Sequence, residues 1–170
     1  MRLRLFVLIA LMLVAHVAFA ELPVPFERVV RDGVRYGYKD LNGTVVIPAV
    51  YRLAQNFSEE GIAAVVDEKG WAIIDKTGKL LLRPFVYDNG PDYFVEGLAR
   101  FRENGRLGFF NTQGQKVIPA WFDFAYPFEN GVARVASGCR EVRGPDEHTT
   151  IEGGVWSTID LTGKQLEPWR

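Results

Sequence analysis

From residue 36 onward the chain alternates short apolar runs with polar, turn-forming clusters. Trp71-Ala72-Ile73-Ile74 runs into Asp75-Lys76-Thr77-Gly78, and the same pattern opens at Tyr36, Leu107 and Trp156. Each opening predicts a strand followed by a tight turn, because Asp or Asn can bond its own backbone ahead and Gly can take positive φ. A second short strand follows: 44–47, 79–82, 115–118 and 164–166. Proline then ends it (Pro48, Pro84, Pro119, Pro168), since it cannot donate to a ladder. A loop carrying Tyr51 and Phe57, Tyr87 and Phe94, or Phe122 and Phe128 leads to a Gly-aliphatic-Ala strand beginning at Gly61, Gly97 or Gly131. No segment has sustained helical periodicity, and β-branched and aromatic residues dominate the strand positions. The prediction is an all-β fold of four tandem units, each about 35 residues long and built as a three-stranded meander.

The ends refine this expectation. The fourth unit stops after Pro168, before any third strand. Residues 25–33 resemble a shortened copy of the segment Phe128 to Val135. They are expected to supply the missing strand and close the array, which would hide its exposed edges. The alternative is an open, solenoid-like stack with the N-terminal strand as a cap. The repeat is interrupted once, by a polar insertion over 138–153, read as an extended hairpin or exposed loop. Insertions in repeat proteins map to loops on one face, often the binding face.

The first 20 residues have a different pattern. Arg2 and Arg4 precede an unbroken apolar run from Leu5 to Val14, and Ala18-Phe19-Ala20 forms a small-x-small site. This reads as a signal peptide over 1–20, leaving 21–170 as one β-repeat domain, exported to the periplasm or secreted. The apolar stretch is short for a membrane span, so no membrane insertion is expected after cleavage. The full chain of 170 residues has 20 Lys and Arg against 21 Asp and Glu. The basic residues are scattered, which argues against nucleic acid or anionic lipid as partner. Cys139 is the single cysteine, so no internal disulfide can form.

Little of the candidate chemistry outlasts comparison between the units. Asp75-Lys76-Thr77-Gly78 matches the start of the aspartyl-phosphate motif of P-type ATPases. However, Lys79 stands where that motif has Thr, and Asp40, Asn111 and Asp160 fill the same slot elsewhere. A slot that accepts Asn forms turns. One carboxylate per turn is also a poor calcium cage. Asp146-Glu147-His148 could hold a metal or an acid-base pair, and Cys139 could pair with His148, yet neither has an evident third group. No serine lies in a nucleophile-elbow context. No cofactor is implied.

Trp71, then Ile74-Asp75-Lys76-Thr77-Gly78-Lys79, an aliphatic run, Pro84, Tyr87-Asp88, Phe94 and Gly97-Leu98-Ala99 resemble the WG repeat, found in tandem in many bacterial and often exported proteins. The resemblance covers nearly the whole chain after residue 20. It departs at Tyr36 and Leu107, which replace the Trp, and at Ala72 and Ser157, which replace the Gly. It implies a β-repeat scaffold used for binding, with no shared catalytic residues.

The expected function is therefore a non-enzymatic interaction module whose partner is another envelope or secreted protein. Its expected binding residues lie where the chain departs from its own repeat. These are Trp121, Phe124 and Tyr126 among the extra aromatics of the third unit, and Arg140, Arg143, Glu147 and His148 in the insertion. The run Tyr87 to Phe94 shares the aromatic character, and aromatic platforms bind sugars or proline-rich segments. The rival expectation is a small hydrolase or metal-dependent enzyme using His148.

Overall fold

The structure, a computed structural model, describes the main chain of residues 27–31 and all of 34–144 and 149–170. The expected signal peptide and the pair Glu147 and His148 lie outside the described residues. The described chain is all-β. Strands β1 (Glu27–Arg31), β2 (Arg35–Lys39) and β3 (Val45–Tyr51) form the first sheet. The second contains β4 (Leu53–Ala54), β5 (Ile62–Asp67), β6 (Gly70–Asp75) and β7 (Leu80–Leu82). A small hairpin of β8 (Val86–Tyr87) and β9 (Gly90–Pro91) follows. The next sheet holds β10 (Leu98–Glu103), β11 (Arg106–Asn111) and β12 (Lys116–Phe122). The last holds β13 (Phe124–Ala125), β14 (Val132–Arg143) and β15 (Thr149–Asp160). All pairings are antiparallel and none of the sheets is closed.

Two expectations from the sequence are corrected. The N-terminal strand does not complete the last unit. Instead β1 pairs with β2, from Glu27↔Lys39 to Arg31↔Arg35. Closing so short a local loop costs far less entropy than spanning the array. The outer edge of β15 is met by the C-terminal segment, where Leu166 donates to the Thr158 carbonyl and Trp156 and Arg170 exchange backbone bonds. The second correction concerns phase. Each Gly-aliphatic-Ala strand pairs with the first strand of the following unit: Ile62↔Asp75, Leu98↔Asn111, Val132↔Asp160. The reason is turn length. Only Asn104 and Gly105, both at positive φ, separate β10 from β11, whereas a long loop precedes β10.

The core follows from period-2 alternation in sheets buried on both faces. On β5 and β6, Ala63, Val65, Ala72 and Ile74 pack against Tyr38, Ile47 and Tyr51 of the first sheet. Their neighbours Ile62, Ala64 and Ile73 pack the other way, against Ala99, Phe101 and Phe110. Leu107 and Phe109 in turn meet Phe122, Ala125, Phe128 and Val135. Inner strands therefore read as nearly unbroken apolar runs.

The Asx turns are built alike. Asp75 Oδ1 accepts from the Thr77 N–H at 2.9 Å, the Thr77 hydroxyl at 2.6 Å and the Lys79 N–H at 3.0 Å. Asp160 repeats this with Thr162 and Lys164. Asp40 and Asn111 keep the two backbone bonds. Desolvation pushes Asp75 up, but the hydroxyl and backbone donors outweigh it and hold the carboxyl below its ordinary value. The Thr162 hydroxyl chiefly does the same for Asp160. A depressed folded pKa contributes stability that is present above the unfolded pKa of about 4 and lost as pH falls through the folded values. The urea midpoint is therefore expected to hold steady down to about pH 5 and drop below about pH 4. Asn111 shows that Asn can form the turn, so D75N/D160N should flatten that acid limb. An unchanged limb in chemical denaturation would count against the argument.

Candidate functional site

The second unit carries one residue more than its siblings between turn glycine and proline, and that residue is Arg83. Its effect is large. After Leu82, which pairs with Ile73, the chain leaves β6 and joins the next sheet. Arg102 donates its N–H to the Arg83 carbonyl, Phe85 donates to the Arg100 carbonyl, and Pro84 bridges to Phe101. The Arg83 guanidinium fills the place vacated beside β6. It holds Asp67 through two bonds of 2.9 and 2.6 Å, and it donates to the Trp71 carbonyl at 3.2 Å. The Arg83 hydrogen bonds are the main cause keeping the Asp67 carboxyl below its ordinary value.

The diverted chain then turns back sharply. Asp88 and Asn89, at φ 48° and 64°, form the two-residue turn between β8 and β9. Positive φ at both central residues is the type I′ requirement. The turn is pinned by Trp71 Nε1 donating to the Asn89 carbonyl at 3.1 Å. Behind it Asp92 and Arg100 form a buried ion pair, with side chains 4 % and 5 % exposed. Arg100 donates to Asp92 through Nε at 2.7 Å and Nη2 at 2.8 Å, and through Nη1 to the Ala125 carbonyl at 2.9 Å. Its guanidinium lies 4.4 Å from the centre of the Phe85 ring.

This diversion opens a cleft of about 1340 Å³. Its walls are the 83–95 segment, Phe124, Tyr126 and Pro127, and the distal end of the β14–β15 hairpin, including Glu141 and Thr149 to Ile151. Arg102 crosses to Glu141 at 2.7 Å. Beside the cleft, Tyr126 stacks on Trp156 with centroids 5.9 Å apart, Phe124 meets Tyr126 edge-on at 5.1 Å, and Arg134 covers Trp156 at 4.2 Å.

The sequence candidates separate accordingly. Phe124 and Tyr126 line the cleft. Trp121 is exposed on β12 and does not. Arg140 projects from the hairpin and pairs with Glu152 at 3.1 Å. Arg143 lies opposite Thr149 near the tip. Tyr87 and Tyr93 belong to the aromatic run noted in the sequence, whereas Trp71 and Phe85 were not singled out as binding residues, although the late Pro84 and the Asp88-Asn89-Gly90 turn signal could have pointed to them. Desolvation, followed by Asp123, raises the Cys139 thiol above its ordinary value, the opposite of an activated nucleophile. Among the described residues, no group of three or more His, Cys, Asp or Glu is placed to hold a metal.

Comparison of the chain with curated proteins and with solved structures finds no match. The model of the WG containing repeat matches three successive stretches, residues 36–71, 71–106 and 108–138. These matches cover more than half of the sequence, begin at or just after the opening residue of each unit and enclose the Asp40, Asp75 and Asn111 turns, and so the chain belongs to the WG repeat family.

Proposed function

We propose that the chain is a non-enzymatic interaction module, exported by its first 20 residues and acting on another envelope or secreted protein. The observation that carries this reading is the convergence of the repeat's departures. The Arg83 diversion, the extra aromatics Phe124 and Tyr126 and the distal hairpin meet around one cleft. Its nearby chemistry is aromatic surface and paired charge rather than an activated nucleophile. On the same reading Trp156 opens a fourth unit, supported by the Asp160 turn, whose three bonds match those of Asp75. Each unit would then contribute a meander whose last strand is lent to its successor.

Removal of residues 139–152 tests the proposal. It joins Gly138 to Gly153, both already at positive φ, as a tight turn needs, and keeps the Ser137↔Val155 pairing. Circular dichroism should be unchanged. Partners captured from an envelope extract by the intact mature protein should be lost from the shortened one, and equal recovery would overturn the reading.

A further inference from the structure

The cleft has a hydrogen-bonding bias that selects its occupant. Most of its charges are paired, though Asp88 and Lys69 also line it: Asp92 accepts three bonds from Arg100, and Glu141 accepts from Arg102. Its guanidinium groups are neutralised by the same pairs and by Arg83 with Asp67. What remains available is donor-rich and aromatic. Tyr87 and Tyr93 meet edge-to-face at 6.3 Å and are 55 % and 64 % exposed. Tyr126 is also exposed. Among the described residues none of these three hydroxyls has a hydrogen-bond partner. Such a surface suits a ligand that is uncharged, apolar in shape, rich in carbonyl acceptors and poor in N–H donors.

We propose that this cleft seats an extended proline-rich segment of a partner protein in the polyproline II conformation. This rests on the reading of the chain as an interaction module and names the partner's chemistry. A proline lacks an N–H and presents its carbonyl outward. A polyproline II strand makes roughly three residues per turn, so prolines at i and i+3 share a face. Aromatic grooves take that face because little ordering entropy remains to be lost. The Tyr87–Tyr93 pair, Phe124 and Tyr126 provide the ring surfaces, and the tyrosine hydroxyls donate to the carbonyls between prolines.

The test uses the whole mature protein and a set of fluorescent peptides of about 12 residues with prolines at i and i+3, each beside a counterpart with every proline replaced by alanine. Anisotropy titrations should show binding that needs the prolines. Y87A/Y93A and Y126A should each weaken it at least about tenfold, as loss of an aromatic anchor does. Trp121→Ala, exposed but outside the cleft, should leave it unchanged. Binding indifferent to the prolines, or weakened as much by Trp121→Ala, would overturn the proposal. So would binding of neutral oligosaccharides that the tyrosine variants abolish while no peptide binds. If capture in the extract still depends on residues 139–152 but no proline peptide binds, the occupant proposed here fails and the interaction reading stands.

Discussion

Asp92→Ala is expected to cost about 3–5 kcal/mol of folding stability, the range for stranding one member of a buried ion pair. With Asp92 gone, Arg100 keeps its bond to the Ala125 carbonyl and its stacking on Phe85, but a desolvated guanidinium loses Nε and Nη2 acceptors together. The carboxylate also receives the Arg100 backbone N–H at 3.0 Å, so a buried main-chain donor is orphaned as well. For a domain of this size the melting temperature should fall by roughly 10 °C. Replacing both partners, as in D92L/R100M, should recover much of the loss because no charge is left unpaired. A single variant that loses less than about 1 kcal/mol in urea titration would show that water reaches Arg100.

Gly108→Ala is the second large effect, about 3 kcal/mol at the upper end of overpacking. A Cβ at Gly108 would sit 2.4 Å from the Ile118 carbonyl oxygen and 2.7 Å from both the Phe101 ring and the Pro119 carbonyl carbon. Two of these are backbone, so a rotamer change cannot relieve them. The cause is the bulge opposite: Phe109 pairs with Ile118 but Leu107 pairs with Phe122, and Pro119-Ala120-Trp121 folds over the strand between. Gly37 faces the same crowding from Ile47 and Pro48. Ala72 escapes it because the chain leaves β6 at Arg83. Ser157 escapes it by donating its hydroxyl to the Glu167 carbonyl, which stands where the Ile118 carbonyl stands in the earlier unit. Ala72→Gly should therefore cost only about 1 kcal/mol. Comparable losses for Gly108→Ala and Ala72→Gly in thermal melts would refute this account of the glycine slot.

These residues show what was legible in the sequence. The all-β class and the repeat were legible because strand and turn preferences are local. Trp71 to Gly78 needs only its own side chains to make its turn. The inward placement of Phe122, Ala125 and Phe128 followed from their shared repeat positions, and all three are buried. Strand partnership was harder, because the pattern of apolar positions does not state which edge a strand joins. Turn length decided it, at Asn104-Gly105 and again between β1 and β2. The cleft was only half legible. Phe124 and Tyr126 stood out as extras, but Arg83 did not. Its consequence depends on a contact with Asp67, and that the spacing alone does not reveal. The same holds for Arg100 and Asp92, whose pairing crosses from the β9 loop to β10.

The lending of each Gly-aliphatic-Ala strand to the following unit has an evolutionary corollary. A duplication or deletion that broke the gene at the opening aromatic, the visible start of the motif, would cut β5 from β6 in the middle of a hydrogen-bonded hairpin. A break at Arg52 or at Asp123, just ahead of β4 or β13, would move a whole sheet intact. The heritable module of this array is therefore out of phase with its written motif, and copies should be gained and lost in the loop frame.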